Sequence, residues 1–480
     1  MNGAVRVGAP PMMDLKDVAL VVGGALHGNA VAFSGVTTDS RRVTAGDLFV
    51  AISGERFDGN QFVAEAAARG AVAALTSRLV EAGMPLPQVV VADTRAALGR
   101  LAAHWRSRFG LPLVALTGSN GKTTVKEMLA SILAAQVGRD PTKSRTHGDG
   151  REPVLATEGN LNNDIGVPLT LFRLRDSHRY AVIEMGMNHA GEIDYLAHIA
   201  RPTVALVTNA HRAHVGILGS VDAIARAKGE IYGGLGPHGI AVVNEDDAFA
   251  SLWKDLNGGR RIVTFGLSES ADVRASFEAR HVRIVTPLDA FAVTLQVAGE
   301  HNVRNALAAC AAAHALEIPP HAMQSGLAAF VGVPGRLQRR ATPGGGVVID
   351  DTYNANPESM KAAIRVLGAE KGRRVFVMGD MGELGAGARE LHAEVGAFAR
   401  ASGIDALLAL GADSVSAADA FGPGARHFEA IEKLLEAASA EAAAGATILV
   451  KGSRFMKMER IADALAIRTT ASSRGGDHAP

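Results

Sequence analysis

Apolar residues in the middle of this chain form short runs that alternate with longer amphipathic stretches. The runs that predict strands are Leu113–Leu116, Tyr180–Glu184, Val204–Thr208 and Ile240–Val243. The stretches with helical spacing between and after them are 123–135, 192–199, 221–232 and 302–316. Because parallel sheets are covered by helices on both faces, their strands are continuously apolar. The pattern therefore predicts an α/β domain with a parallel sheet.

The segments on either side repeat this alternation in two different forms. Near the N-terminus, strands at 47–52 and 89–92 and helices at 61–69 and 94–109 predict a mixed α/β unit. Near the C-terminus, helices separate four strand runs at 347–349, 375–378, 406–410 and 447–450. This second alternation predicts a smaller, doubly wound, Rossmann-like domain.

From the length of 480 residues, two to four domains are expected, since a single core stops growing at about 250 to 300 residues. Gly110 and Pro112 stop the first long helix, and Pro334 and Gly335 follow the last helix of the middle segment. These signals predict domains at 1–110, 111–332 and 333–470, followed by a flexible tail at 471–480. Residues 138–152 are dense in Gly, Asp and Arg, which is typical of a surface insertion.

Charge and composition exclude several classes of function. The 49 basic residues balance 49 acidic residues, so there is no global field to attract nucleic acid or an anionic membrane. The single cysteine, Cys310, excludes an intrachain disulfide. No apolar run approaches the roughly 18 to 20 residues that span a bilayer, and Val18–Leu26 lacks a basic leader. We expect a cytoplasmic monomer that acts on small molecules.

The strongest chemical signal is the loop Gly118-Ser119-Asn120-Gly121-Lys122-Thr123-Thr124, between a predicted strand and a predicted helix. A nucleoside triphosphate needs converging backbone N–H groups, a cation over the β- and γ-phosphates and a hydroxyl on Mg²⁺, and this loop supplies all three. Two residues separate its glycines, whereas the standard loop has four. An ordinary strand-to-helix turn is the alternative.

Glu184 ends the predicted strand Tyr180–Glu184, and His214 lies a few residues past the predicted strand Val204–Thr208. Ligands gather at the carboxyl ends of parallel strands, and carboxylate and imidazole groups bind metal ions. Both residues are therefore metal-site candidates. The alternative for each is an ordinary surface group.

Several longer blocks resemble the Mur ligase family in family order over nearly the whole chain. They are GSNGKTT, EMGMNHAGEI (184–193), TNAHRAHV (208–215), AKGEI (227–231), GEHNVRNALAA (299–309), PGR (334–336) and DDTYNANPESM (350–360). TDSRRVTAGDLFVAISG (38–54) and GNLNNDIGVPLT (159–170) are most similar to the branch that adds D-alanyl-D-alanine to UDP-N-acetylmuramoyl-tripeptide. The resemblance implies an ATP-dependent amide-bond ligase that works through an acyl phosphate.

The resemblance also implies roles for particular residues. It implies Lys122, Glu184, His214 and Lys228 as catalytic residues, and Thr123, Glu184, His214 and Lys228 as the Mg²⁺ site, with Lys228 carbamylated. ATP would contact residues 118–124, Asn302, Arg336 and Asp351. The nucleotide sugar would contact Asp39, Ser40, Arg41, Asn160, Asn162 and Asn163, and the dipeptide Lys451, Ser453 and Arg454. A surface lysine at 228, a helix cap at Asn302 and plain turns at 39–41 and 160–163 are the alternatives.

Two departures and two competing functions complete the interpretation. Asn60 stands where many relatives have His, and the insertion at 138–152 precedes the sugar-binding block. Another amino-acid-adding ligase is one competing function, but its DNPR-type block is absent from the sequence. The other is a nucleotide-dependent switch without ligase chemistry, which needs no third domain carrying the 350–360 block.

Overall fold

The computed structural model describes residues 10–54, 57–81, 86–138 and 152–467. The chain forms two compact units. The first contains the chain as far as Ala210 together with Ala225–Thr294 and Val303–Phe330, and the second contains His211–Ile224, Leu295–Asn302 and the chain from Val331 onward. The interior of the proposed 138–152 insertion and the whole 471–480 tail lie outside the described residues.

The N-terminal part of the first unit is a mixed α/β layer, as predicted. Its strands are β1 (Met13–Asp14), β2 (Ala25–His27), β3 (Ala32–Phe33), β4 (Gly35–Thr37), β5 (Asp47–Val50), β6 (Ser53–Gly54), β7 (Phe57–Asp58), β8 (Ala73–Thr76) and β9 (Gln88–Val90). Its helices are α1 (Leu15–Val22), α2 (Val63–Ala68) and α3 (Thr94–Ser107). Five strands form one sheet in the order β2-β9-β8-β5-β4, parallel except for β2.

The second sheet of this unit is fully parallel, which confirms the prediction for the middle of the chain. Its strands are β10 (Leu113–Thr117), β11 (Val154–Ala156), β12 (Tyr180–Glu184), β13 (Val204–Val207), β14 (Ile240–Asn244) and β15 (Arg261–Phe265). The order is β11-β12-β10-β13-β14-β15. Every residue of β10 is buried, as a central strand covered on both faces must be. The successive strands β12 and β13 lie on opposite sides of β10. The carboxyl end of β10 is therefore the topological switch point, where ligands bind in sheets of this kind.

Helices cover this parallel sheet, and a small antiparallel sheet follows it. After α3, the helices with residues in this unit are α4 (Lys122–Gln136), α5 (Gly166–Leu171), α6 (Glu192–Ala200), α8 (Val221–Gly229), α9 (Ala250–Asp255), α10 (Glu300–Ala315) and α11 (Pro320–Ala329). Helix α7 (Val215–Leu218) belongs to the second unit. The antiparallel strands are β16 (Arg274–Glu278), β17 (His281–Val285) and β18 (Ala290–Thr294). The sequence analysis did not predict these three strands.

The second unit contains the doubly wound sheet predicted for the C-terminal segment. Its strands are β19 (Gln338–Ala341), β20 (Val347–Asp350), β21 (Arg374–Gly379), β22 (Ala406–Leu410), β23 (Ala425–Phe428) and β24 (Thr447–Lys451). Its remaining helices are α12 (Pro357–Gly368), α13 (Ala388–Ala401), α14 (Val415–Phe421), α15 (Ile431–Ala443) and α16 (Glu459–Leu465). The order is β19-β20-β24-β21-β22-β23, and only β19 is antiparallel to its neighbour.

Successive residues of the central strands of this sheet enter two separate cores. Val375 and Val377 pack with α15 and α16, whereas Phe376 and Met378 pack with α12, α13 and α14. A strand has a side-chain period of two, so a continuously apolar strand supplies both faces at once. The apolar run that predicted β21 therefore accounts for both helical layers.

The α/β class and the three-domain architecture are confirmed. The borders predicted after residues 110 and 332 fall between α3 and β10 and between α11 and β19, and they stay predictions. Within the described residues, the helices are all too short or too polar to cross a bilayer.

Candidate functional site

The glycine-rich loop lies at the carboxyl end of β10, and its conformation requires glycine at two positions. Gly118 has φ +150° and Gly121 has φ +82°. A Cβ at Gly118 would lie 1.8 Å from Thr208 Oγ1, and one at Gly121 would lie 2.3 Å from Asn305 Oδ1. Both glycines are therefore fixed by neighbours as well as by backbone angle. The N-cap of α4 is Gly121, which has no side chain to cap the helix, and a helix N-terminus is a favourable place for a phosphate.

Thr208 and Asn209, after β13, hold the loop from the adjacent strand. Thr208 Oγ1 donates to Asn120 O at 2.7 Å, and Asn120 N donates to Asn209 Oδ1 at 2.9 Å. Ser119 N donates to Asn209 O at 3.0 Å, and Lys122 Nζ donates to Gly118 O at 2.7 Å. These bonds fix the conformation of the loop, and a preorganised loop lowers the ordering cost of ligand binding. The block TNAHRAHV contains both residues, although the sequence analysis did not assign them.

Glu184 is the last residue of β12 and pairs in register with Leu116 of β10, beside the loop. Its side chain is only 1% exposed. Oε1 accepts from Asn162 Nδ2 at 2.8 Å, whereas Oε2 is buried without a hydrogen-bond partner among the described residues. A buried, unsatisfied carboxylate oxygen is costly unless a cation binds it. The structure thus fits the prediction that Glu184 is a metal ligand.

Lys228, at the end of α8, is 2% exposed. Burial, together with the nearby positive charge of Lys122, holds the pKa of the Lys228 amine well below its usual value. A neutral amine is nucleophilic, whereas an ammonium is not. The structure thus brings Lys228 near Lys122 and favours the neutral form of its amine.

The residues proposed to contact the nucleotide sugar make mostly local bonds. Arg41 pairs with Asp39 through two bonds of 2.9 Å, which lowers the pKa of Asp39, and Ser40 Oγ donates to Glu65 at 3.0 Å. Asn163 Oδ1 accepts from Gly166 N at the start of α5. Asn160 is exposed, and only Asn162 reaches the loop region, through Glu184. A local turn therefore accounts for the bonds of Asp39, Arg41 and Asn163 in this state.

Asn60, the departure noted in the sequence, is almost fully buried. Its amide donates to Asp58 Oδ1 at 2.6 Å and to Ser77 Oγ at 2.8 Å, while its oxygen accepts from Ser77 N. These bonds satisfy both ends of the amide and give Asn60 a structural role in the N-terminal layer.

The remaining predicted residues belong to the second unit. Asp351 follows β20, and its Oδ2 lies 2.6 Å from Lys451 Nζ at the end of β24. Lys451 is buried and also donates to Asn354 O at 2.8 Å. Asn302 lies in the first turn of α10, where its amide donates to Ala298 O at 2.7 Å. The structure brings together the ATP candidate Asp351 and the dipeptide candidate Lys451.

Tyr353 connects two further candidates. The guanidinium of Arg336 lies 4.2 Å from the centre of the Tyr353 ring, and that of Arg454 lies 5.9 Å from it. Arginine stacks on aromatic faces, so the ring holds both cations at one place. Ser453 accepts from Gly382 N at 2.7 Å and donates to Ala355 O at 3.4 Å. The tyrosine has no assigned role in the sequence analysis, although it stands in the DDTYNANP block.

His214 follows β13 along the chain and belongs to the second unit. Its Nδ1 lies 2.6 Å from Glu383 Oε2, a distance typical of an ion pair, although the atoms are not aligned as a hydrogen bond. The imidazole lowers the pKa of the Glu383 carboxyl. Across the described ranges, no cluster of three or more His, Cys, Asp or Glu side chains could hold a metal ion.

The parallel sheet, the open loop at its switch point and the buried Glu184 oxygen define an enzyme that uses a nucleoside triphosphate. Comparison with known families identifies which class. The model of the Mur ligase middle domain matches residues 116–313, that of the Mur ligase glutamate ligase domain matches 335–454, and that of the Mur ligase family catalytic domain matches 32–106. The chain belongs to the Mur ligase family and is an ATP-dependent peptide ligase.

Individual relatives agree over nearly the full length. The UDP-N-acetylmuramoyl-tripeptide–D-alanyl-D-alanine ligase of Escherichia coli is 42% identical over 460 residues, which cover 94% of this chain and 98% of that protein. The enzyme of the same name from Bacillus subtilis is 35% identical over 470 residues, covering 93% and 97%. A crystal structure of MurF from Acinetobacter baumannii has a TM-score of 0.86 at 38% identity, covering 94% and 98%. The MurF ligase of Thermotoga maritima in complex with ADP has a TM-score of 0.75 at 27% identity, covering 90% and 96%.

Proposed function

We propose that this chain joins D-alanyl-D-alanine to UDP-N-acetylmuramoyl-tripeptide, giving the pentapeptide precursor of peptidoglycan, ADP and phosphate. The similarity to the Escherichia coli ligase over 94% of the chain supports the choice of substrates. The observation that carries the chemistry is the braced loop beside the unsatisfied Glu184 oxygen. The product places the reaction in cell-wall biogenesis, on which cell shape and division depend.

The reaction needs activation because a carboxylate is a poor electrophile. The terminal carboxylate oxygen of the tripeptide attacks the γ-phosphorus of ATP, and the bond to ADP breaks. The dipeptide amine then attacks the acyl carbon, and phosphate leaves as the amide forms. Lys122 and the first turn of α4 would stabilise the charge that gathers on the transferred phosphoryl group.

Magnesium is the proposed metal, and the donor set fits it. Glu184 offers a buried oxygen, and Thr123 offers a hydroxyl at the start of α4. His214 and a carbamate on Lys228 complete the proposed ligands. When bound, the metal neutralises charge on the phosphates. Carbamylation is supported by the lowered pKa of the Lys228 amine, because only the neutral amine reacts with CO₂.

The remaining assignments are proposals of the same kind. Residues 118–124, Asn302, Arg336 and Asp351 would bind ATP, residues 39–41 with Asn160, Asn162 and Asn163 the nucleotide sugar, and Lys451, Ser453 and Arg454 the dipeptide. Arg41 would exchange its bond to Asp39 for the diphosphate, since guanidinium groups bind phosphate through two oxygens. We also propose a cytoplasmic location and a monomeric state, which suit an enzyme supplied with ATP and nucleotide sugars.

Product formation tests the proposal. The purified chain is incubated with ATP, Mg²⁺ and the UDP-tripeptide, with and without D-alanyl-D-alanine, and ADP and product mass are measured. We expect ADP release to require the dipeptide and the product mass to equal the two substrates joined less one water. Equal ADP release without the dipeptide, or a faster reaction with a single amino acid, would overturn the choice of amine substrate.

A further inference from the structure

The segment 211–224, which follows β13 along the chain, belongs to the second unit, and Arg212 bonds to other residues of that unit two residues before His214. Both terminal nitrogens of Arg212 bond the two oxygens of Glu394 on α13, at 2.8 Å each, and its Nε bonds Glu358 on α12. Lys361 pairs with the same Glu394. These charges hold the pKa of Glu394 down at about 2.

This network differs from an ordinary surface ion pair in its burial and in its number of bonds. An exposed ion pair contributes about 0 to 1 kcal/mol, because water screens it and two flexible side chains must be ordered. Here the Arg212, Glu358 and Glu394 side chains are each about two thirds or more buried, at 30%, 26% and 35% exposure. The paired guanidinium is bonded through both its ends, which fixes its geometry. The three bonds therefore fix the Arg212 side chain against α12 and α13.

A second anchor lies just beyond His214. Gly216 N donates to Glu383 O at 3.0 Å, and a Cβ at Gly216 would lie 2.4 Å from Gly385 N. His214 and Glu383 both adopt left-handed backbone angles, with φ +64° and +63°. Such angles cost about 1 kcal/mol or more for residues other than glycine and persist only where neighbours enforce them. The two strained residues face each other across the 2.6 Å contact between Nδ1 and Oε2.

Glu383 belongs to a turn that also holds the dipeptide candidate Ser453. Gly382 N, one residue earlier, donates to Ser453 Oγ at 2.7 Å, and Ser453 N donates to Asp380 O at 2.9 Å. The carboxylate of Asp380 accepts from Ser414 N at 2.8 Å. Met381 N donates to Nε2 of the fully buried His392 at 2.9 Å. One rigid turn, 380–385, thus touches His214 at one end and Ser453 at the other.

We propose that Arg212 and Glu383 are positioning residues that hold His214 ready for the metal ion and couple metal binding to dipeptide binding through the 380–385 turn. The inference rests on the proposed function, which assigns metal to His214 and the dipeptide to Ser453. Glu383 approaches Nδ1, which would leave Nε2 of His214 to hold the metal ion. A carboxylate beside the other ring nitrogen is a common way to orient a metal-binding histidine.

Direct metal binding tests the proposal without relying on turnover. Mn²⁺ replaces Mg²⁺, and its binding is followed by electron paramagnetic resonance in the presence of a non-hydrolysable ATP analogue, with and without D-alanyl-D-alanine. The variants are Glu383→Gln and Arg212→Lys, with His214→Asn to identify the Mn²⁺ that depends on this histidine. Glu390→Gln is the matched control, because Glu390 is an exposed carboxylate in the first turn of α13.

We expect Glu383→Gln to weaken the His214-dependent Mn²⁺ binding about tenfold, the lower end of the range for outer-shell partners. Arg212→Lys should weaken it by a smaller factor, because one ammonium cannot replace the paired fork. In the unmodified protein, the dipeptide should tighten Mn²⁺ binding at least about fivefold, and Mn²⁺ should tighten dipeptide binding by the same factor. Both factors should fall to about one in Glu383→Gln and stay unchanged in Glu390→Gln.

Two results would overturn the inference. One is wild-type Mn²⁺ affinity in Glu383→Gln, and the other is an absence of mutual tightening in the unmodified protein. Either result, found in a protein that still releases ADP only with the dipeptide, leaves the proposed function intact. Failure of dipeptide-dependent ADP release in the unmodified protein would instead refute the proposed function itself.

Discussion

Lys126 and Lys228 are both almost fully buried, at 1% and 2% exposure, yet they differ in their partners. Lys126 Nζ donates to Thr157 O at 2.6 Å and pairs with Glu127 at 2.9 Å, so its charge is satisfied. Burial and the like charge of Lys122 dominate the environment of Lys228. A buried charge without compensation is costly, and the usual response is loss of the proton. The two lysines should therefore behave differently toward CO₂.

Carbamylation at Lys228 is the first prediction at this scale. Protein incubated with ¹³C-bicarbonate should show one carbamate carbon by NMR, and Lys228→Ala should lose it. Turnover of Lys228→Ala should fall at least about a hundredfold, because a metal ligand is lost. Lys126→Met is the control and should keep the carbamate signal. Undiminished turnover of Lys228→Ala, with and without bicarbonate, would remove the carbamate from the mechanism.

His301 gives a prediction about pH. Burial lowers the pKa of His301 to about 4, and the negative charge of Asp351 offsets only part of this effect. Below about pH 6.5 the imidazole binds a proton in the unfolded chain but not in the folded chain. The free energy of unfolding is therefore highest above pH 6.5 and decreases as the pH falls toward 4. The loss should reach at most about 3 kcal/mol in the free energy of unfolding.

Urea unfolding of His301→Asn between pH 4 and 7 measures this contribution. The difference in unfolding free energy between the original protein and the variant should shrink as the pH falls through this window. The variant at His321, His321→Asn, is the control, because that side chain is exposed on α11. A difference that stays constant from pH 7 to pH 4 would contradict the assignment of a buried neutral imidazole.

At the scale of elements, helices α4 and α11 of the first unit pack closely against each other. A Cβ at Gly326 would lie 2.4 Å from the Cα of Ile132, and Ser131 Oγ donates to Gly326 O at 2.7 Å. Alanine favours a helix over glycine by about 1 kcal/mol, but a clash with backbone atoms costs more. We expect Gly326→Ala to lower the free energy of unfolding by about 3 kcal/mol.

Gly236→Ala is the matched control, because a Cβ there meets nothing within 4 Å. It should change the unfolding free energy by less than about 0.5 kcal/mol. Denaturant unfolding followed by circular dichroism gives both values. A Gly326→Ala protein as stable as the control would show that α4 and α11 are packed less closely than described.

The elements show which features can be read from sequence. Continuous apolar runs predicted β12 and β22 with their observed bounds, because fully buried strands leave an unmistakable pattern. In strand β17, buried Val282 and Ile284 alternate with exposed His281 and Arg283. Such alternation of apolar and polar residues is a strand pattern that the sequence also shows. The close approach of Gly326 to Ile132 joins residues far apart in sequence, so no local pattern encodes it.

The residues of the candidate site also divide into those that the sequence reveals and those that depend on the fold. The phosphate loop is visible because its backbone angles require glycines at fixed spacing. Thr208 and Asn209 stand in the TNAHRAHV block, but their bonds to the loop depend on strand order within the sheet. Arg212 and Glu383 were not assigned, because an ion pair becomes meaningful only once the fold has brought its partners together.

For the whole molecule, the two compact units carry different parts of the proposed reaction. The first contains the phosphate loop, Glu184, Lys228 and residues 39–41, and the second contains Asp351, Lys451 and Ser453. If the substrate assignments are correct, each substrate alone should stabilise segments in one unit. Amide hydrogen exchange measures such local stabilisation segment by segment.

We expect the UDP-tripeptide alone to slow exchange at 35–43 and 157–171, which belong to the first unit. D-alanyl-D-alanine should instead slow exchange at 350–356, 380–385 and 451–456, because the bonds of Ser453 tie these segments to one another. Where local opening of a segment releases the ligand, the free energy of opening should increase with ligand concentration. The increase should reach about 2.7 kcal/mol at a ligand concentration of a hundred times the dissociation constant. D-alanyl-L-alanine at the same concentration is the control for stereochemistry. Dipeptide protection confined to the first unit would place the amine substrate there and contradict the roles given to Lys451, Ser453 and Arg454.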